Sequence, residues 1–104
     1  MRFLEIGDDF AVNVSAIHTV CYTENKLGIA AGSNCLYQYT FELSNSEKLT
    51  EFMQGVYQCL LDDLANDDKP FVDVEEISDR LEKLVGVRVT NEIGMLVEDC
   101  NDNQ

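Results

Sequence analysis

The chain has 104 residues, the usual size of one domain, and its apolar fraction of 45% is typical of a folded globule. Twenty acidic residues stand against seven basic ones, which gives a net charge of −13 at pH 7. This charge argues against direct binding to nucleic acid or to an anionic membrane surface, because both would repel it. It favours a basic partner or cations, or it serves only to keep the protein soluble.

The first 43 residues are dominated by short segments typical of β-strands. The clearest is the last one, where apolar and polar side chains alternate over nine residues. Turn-forming residues separate the segments, as at Gly7-Asp8-Asp9 and Gly32-Ser33-Asn34. Strands are predicted at 2–6, 10–14, 17–23, 27–31 and 35–43.

The spacing of apolar residues then changes to that of a helix. Ser44 and Glu47 fit a capping box, in which the serine caps the first turn and the glutamate reaches back. Apolar residues follow at intervals of three and four. A long helix is therefore predicted over 44–64.

A second, acidic helix is predicted over 73–85, after a loop at 65–72. Asp73 has the side chain of an N-cap residue, and Gly86 fits the position just after the last turn.

Residues 87–98 are predicted to form a hairpin that turns at Asn91-Glu92-Ile93-Gly94. The predicted fold is thus a single α+β domain over 1–104. It has an antiparallel sheet of four to five N-terminal strands, one long helix, a second helix and a C-terminal β-hairpin.

Residues for catalysis or metal binding are scarce. The only histidine, His18, lies in a predicted strand and has no second histidine to complete a metal site. The cluster Asp62, Asp63, Asp67 and Asp68 lacks the glycine and the alternating ligands of a calcium loop. The sequence therefore predicts a protein that is not an enzyme and needs neither a metal nor a cofactor.

Four cysteines, at positions 21, 35, 59 and 100, form no CxxC motif. They allow three disulfide pairings, and the spacing selects none of them. Acidic residues interrupt the N-terminal segment where a signal peptide would be apolar, and no run is long enough to span a membrane. We expect a soluble cytoplasmic protein with reduced thiols.

The negative charge is concentrated in the C-terminal part of the chain. Residues 62–104 carry thirteen acids and four bases, against seven and three in residues 1–61. On the second helix, Glu76–Arg80 and Asp79–Lys83 are spaced to pair at i, i+4, which leaves most of the charge bare. The predicted partner-binding residues are Glu75, Asp79 and Glu82 on this helix, then Asp62, Asp63, Asp67 and Asp68. The alternative is a solvated helix face with an acidic loop.

The small size, strong acidity, strand-rich first half and acidic second half resemble small inhibitors of phages and mobile elements, including anti-CRISPR proteins. The opening, Phe3 to Val14, also looks like small bacterial proteins that start with a strand, a Gly-Asp turn and a Val-Asn strand. The first resemblance implies inhibition of an effector such as a CRISPR-Cas nuclease. Neither resemblance transfers a binding residue.

These features predict a non-enzymatic inhibitor that binds a basic protein surface and imitates DNA. The predicted partner is a basic protein, for example a nuclease. The alternative is a small regulatory or scaffold module that self-associates, as a homodimer for example, through its sheet. An exposed edge strand or an apolar patch containing Tyr22, Tyr37, Tyr39 or Tyr57 would favour the module.

Overall fold

The computed structural model describes residues 1–7, 10–33 and 35–97. Its α+β class and its two helices confirm the coarse prediction. Asp8, Asp9 and Asn34 of the predicted turns, Glu98, Cys100 and the rest of the tail lie outside the described residues. The strands are β1 (Phe3–Ile6), β2 (Phe10–Asn13), β3 (Ile17–Thr23), β4 (Lys26–Ala31), β5 (Cys35–Leu43), β6 (Phe71–Asp73) and β7 (Val89–Val97), and the helices are α1 (Leu49–Ala65) and α2 (Val74–Val85).

The strands form two sheets rather than the single predicted one. The four-stranded sheet has the order β3-β4-β5-β7 and is antiparallel throughout. The three-stranded sheet has the order β2-β1-β6, and its β1–β6 pair is parallel. The prediction of one antiparallel sheet is therefore wrong. The strand β6 that completes the second sheet falls at the end of the predicted loop 65–72.

The predicted C-terminal hairpin is also wrong, because residues 89–97 form one continuous strand. β7 pairs with β5 residue by residue, from Leu43 opposite Val89 to Cys35 opposite Val97. The turn-prone residues at 91–94 thus lie in the middle of a nine-residue ladder. Pairing with a long, regular neighbour outweighs the local preference for a turn.

The long helix begins later than predicted. A 3₁₀ turn at Ser46–Lys48 precedes α1, and the side chain of Asn45 accepts the N–H of Glu47 at its start. Ser44 does not cap this helix, since its hydroxyl accepts the N–H of Arg88 at 3.0 Å. The capping-box prediction is therefore wrong, and the serine instead fastens the start of β7 to the end of β5.

The second helix agrees with its prediction. The Asp73 side chain accepts the N–H of Glu75 at 2.9 Å, which satisfies one free donor of the first turn. Gly86 ends the helix with φ of +81°, a conformation that favours glycine.

The hydrophobic core lies between the four-stranded sheet, the two helices and the three-stranded sheet. Alternate residues of β4 and β5 face it, and the rings of Phe41 and Phe52 meet edge to face at 5.3 Å. Gly55 lets α1 approach α2 closely, because a β-carbon there would collide with Leu81. The largest fully buried side chains are Tyr39, Phe41, Phe52, Leu4, Leu27, Ile29, Met53, Leu60, Ile77, Val56, Val72 and Val74.

Candidate functional site

The acidic stripe predicted on α2 is only partly available to a partner. Asp79 is exposed, while Glu75 and Glu82 are partly buried. Glu82 accepts the N–H of Val89 at 2.9 Å and so holds the start of β7. The predicted stripe therefore separates into one exposed carboxylate and two that face the rest of the fold.

The end of α1 meets the middle of α2 through ion pairs. Asp63, whose side chain is 16% exposed, lies 3.4 Å from Arg80 and 3.9 Å from Lys69. Lys69 also lies 3.9 Å from Glu76. Arg80 and Glu76 thus pair across elements, and the predicted i, i+4 pair between them does not form. Asp63 is occupied within the fold and contributes little free charge.

Arg2 holds the C-terminal end of α1. Its guanidinium donates to the carbonyl oxygens of Asp63 and Leu64, both at 2.8 Å, and of Lys69 at 3.0 Å. The last carbonyls of a helix lack partners within the helix and carry partial negative charge. A cation at this position satisfies them and orients the loop that carries Asp67 and Asp68.

Four of the predicted partner-binding residues are exposed around this junction, and Glu76 joins them. No ion pair is formed by Asp68 or Asp79 within the described residues, and Asp67 is 96% exposed at 3.9 Å from Arg2. Because Asp63 touches Arg80, the exposed carboxylates of α1, the loop and α2 belong to adjoining elements. We call these five exposed residues the acidic face: Asp62, Asp67, Asp68, Glu76 and Asp79.

A second feature was not predicted: an apolar cleft beside β7. Phe10, Ile93 and Met95 are 48%, 37% and 55% exposed, and they meet around a cavity of about 260 Å³. The ring of Phe10 packs 5.7 Å from that of Tyr37. We call this the apolar cleft, lined by Ile6, Gly7, Phe10, Tyr37, Ile93 and Met95. The hairpin prediction concealed it by assigning Ile93 to a turn.

Of the four tyrosines that would mark the alternative module, only Tyr37 belongs to an apolar patch. Tyr37 and Tyr39 are buried, and Tyr22 packs against Tyr57 with ring centroids 5.1 Å apart. Only Tyr37 borders the apolar cleft, as part of its floor. An edge strand is present, however, because β7 ends the four-stranded sheet.

The pKa of Tyr39 is raised well above its usual value. Its hydroxyl is buried and has no hydrogen-bond partner of standard geometry in the described chain. Burial raises its pKa, the carboxylates of Glu75 and Asp73 raise it further, and the backbone of Gly7 offsets a small part. Burial also raises the pKa of Tyr37, as does the Cys35 thiol beside it. These hydroxyls stay neutral at physiological pH.

The other reactive side chains are dispersed. The exposed His18 ring lies 3.0 Å from the carbonyl oxygen of Gly32 and 2.8 Å from the hydroxyl of Thr19. Cys21, Cys35 and Cys59 are free thiols, and none is fully buried. Among the described residues, no three His, Cys, Asp or Glu side chains are grouped to hold a metal ion.

No protein-family model, curated protein or solved structure matches this chain. In the described part of the chain, neither helix has the length and apolar character that crossing a bilayer requires.

Proposed function

We propose that the protein binds a basic surface of another protein through the acidic face and inhibits that protein without catalysis. The observation that supports this most directly is the junction of α1 with α2. There the Asp63–Arg80 contact brings exposed carboxylates from two helices and a loop onto adjoining elements. Carboxylates arranged in this way attract Lys and Arg side chains over long range and pair with them on contact.

The narrower form of the proposal is imitation of DNA. A nucleic-acid-binding effector, such as a CRISPR-Cas nuclease, already arranges Lys and Arg to receive regularly spaced phosphates. An acidic face that occupies the same groove excludes the nucleic acid. The resemblance to small acidic inhibitors of phages and mobile elements supports this form.

The test compares two charge reversals of equal size. Asp62→Lys with Asp79→Lys reverses two exposed residues of the acidic face, while Glu42→Lys with Glu47→Lys reverses two exposed acids elsewhere. Glu82 is left intact because it is bonded to β7. Immobilised protein captures partners from the native host, and mass spectrometry quantifies them. We expect the amount of captured basic partner to fall at least tenfold for the first double variant and to stay unchanged for the second.

Two further measurements define the interaction. Capture of a true partner falls as NaCl is raised from 50 to 500 mM, because salt screens charges. Duplex DNA competes with the protein for that partner if the inhibitor imitates DNA. Capture that is equal in both reversal variants contradicts the acidic face as the site, and binding that is independent of salt contradicts the proposal itself.

A further inference from the structure

The outer edge of β7 presents backbone hydrogen-bonding groups that have no backbone partner among the described residues. The carbonyl oxygen of Arg88 accepts the N–H of Ser44 at 2.9 Å, so residue 88 faces β5. Backbone direction alternates along an antiparallel strand, so residues 90, 92 and 94 also face β5 and residues 89, 91, 93 and 95 face away. Glu82 accepts the N–H of Val89. Beyond that point, the N–H and C=O groups of Asn91, Ile93 and Met95 point outward from the sheet.

This edge lacks most of the features that usually prevent strand pairing, and the exception is the charged side chain of Glu92. Residues 89–97 contain no Pro, Lys or Arg, and their register with β5 is unbroken. The opposite edge of the same sheet differs, because β3 carries a register shift between Ile17 and Thr19. A bulge of this kind twists an edge away from further pairing. The edge at β7 is therefore the one suited to another strand.

The residues of β7 whose backbone groups point outward also contribute side chains to the apolar cleft. Ile93 and Met95 stand opposite Tyr39 and Tyr37 in the ladder and so share their face. Gly7 lies against Ile93, since a β-carbon on Gly7 would be 3.6 Å from its Cδ1. A strand added to β7 would cover the apolar side chains while it pairs with the backbone.

We propose that a second copy of this chain pairs with the first through β7, antiparallel, about a two-fold axis at Ile93. This register places Ile93 opposite Ile93 of the second copy and Asn91 opposite Met95, so all three outward-facing residues gain partners. Glu92 falls opposite Gly94, so no two like charges stand directly opposite each other. The edge is thus complementary to itself, as a two-fold interface requires. The two four-stranded sheets become one continuous eight-stranded sheet.

The dimer does not rest on the proposed function. The dependence on salt concentration distinguishes dimerisation from binding to a basic partner. Each copy carries a net charge of −13, so repulsion opposes pairing. Added salt screens this repulsion and strengthens the dimer, whereas it weakens binding to a basic partner. The two interactions therefore respond to salt with opposite signs.

The test measures the mass of the full chain by sedimentation velocity between 1 µM and 1 mM, in 150 and 500 mM NaCl. We expect a change from the 11.7 kDa monomer to twice that mass, at lower concentration in the higher salt. Ile93→Lys places a charge at the centre of the interface and should raise the dissociation constant at least tenfold. Met95→Pro removes an outward N–H that β5 does not use and should do the same. Leu84→Lys, at an exposed leucine of α2, is the matched control.

Hydrogen exchange provides a second measurement that needs no variant. In the wild type, the amides of Asn91, Ile93 and Met95 should exchange more slowly as concentration rises, while those of Glu92 and Gly94 are protected throughout by β5. A monomer over the whole range overturns the proposal. So does a dimer that Leu84→Lys weakens and Ile93→Lys does not, or one whose outward amides are unaffected by concentration.

Discussion

The acidic face and the apolar cleft differ in how the fold produces them. The acidic face is made of residues that are close in sequence, on the end of α1, the loop and α2, and three basic residues hold it together. The cleft joins Phe10 of β2 with Ile93 and Met95 of β7, more than 80 residues away. Charge can be located from local sequence, whereas an apolar patch exists only where distant strands leave side chains uncovered. Four sets of substitutions test this contrast, from the largest expected effect to the smallest.

Leu81→Ala should lower the free energy of unfolding by about 2–5 kcal/mol, because it leaves a cavity between α1 and α2. Gly55→Ala should lower it by about 1–3 kcal/mol, because its new methyl group collides with Leu81 despite the gain in helix propensity. Urea unfolding followed by circular dichroism measures both. The double variant should lose less free energy of unfolding than the two single variants added together, because the cavity left by Leu81→Ala accepts the new methyl group. A stabilising Gly55→Ala would contradict this packing.

Arg2→Met should lower the free energy of unfolding by about 2–3 kcal/mol, because three carbonyl oxygens near the end of α1 each lose a charged donor. Among the described residues, only the carbonyl oxygen of Asp63 keeps a second donor, the N–H of Asn66. Arg2→Lys should recover less than half, since an ammonium cannot donate along the same three directions. Thermal unfolding of each variant is compared with Lys26→Met, an exposed control on β4. Equal losses in Arg2→Met and Lys26→Met would contradict the role of the arginine.

Glu82→Ala should lower the free energy of unfolding by about 1 kcal/mol and speed the exchange of the Val89 amide, because the carboxylate accepts that N–H. Glu82→Gln retains an acceptor oxygen and should stay close to the wild type. Asp79→Ala, on the exposed side of α2, serves as the control. If Val89 exchanges at the same rate in all three variants, the helix does not hold the edge of β7.

Tyr39→Phe should change the free energy of unfolding at pH 7 by less than about 1 kcal/mol, with stabilisation as the expected sign. It removes a buried hydroxyl that has no hydrogen-bond partner of standard geometry among the described residues. Because the pKa is raised in the folded state, the unfolded chain releases this proton first as the pH rises. The contribution of this group to the free energy of unfolding is therefore fully present below about pH 10 and is lost above it. Urea unfolding at pH 7 and pH 10.5 should show a smaller fall in the variant. An equal fall in both proteins would contradict the burial of this hydroxyl.

The sequence was a good guide wherever a signal was local. Alternation over nine residues identified β5, and Asp73 with Gly86 bounded α2 correctly, because a cap acts on the turn beside it. It failed at Ser44 and at 91–94. In both places a partner more than 40 residues away decides the conformation, through the Ser44–Arg88 bond and the β5–β7 ladder.

The same limit applies to the candidate site. All seven predicted acids keep at least part of their side chain in solvent, yet Asp63 pairs with Arg80 and Lys69, and Glu82 accepts the N–H of Val89. Residue type and helical spacing locate the charges. They do not show which charges the neighbouring element neutralises, because that depends on how α1 and α2 pack.

The sequence by itself determined the acidity, the N-terminal strands and the second helix, since composition and short-range periodicity are properties of neighbouring residues. Only the tertiary structure decided that the strands divide into two sheets and that β7 is one continuous edge strand beside an apolar cleft. Those features depend on the pairing of residues far apart in the chain, and the free energy of that pairing is not encoded in either segment alone.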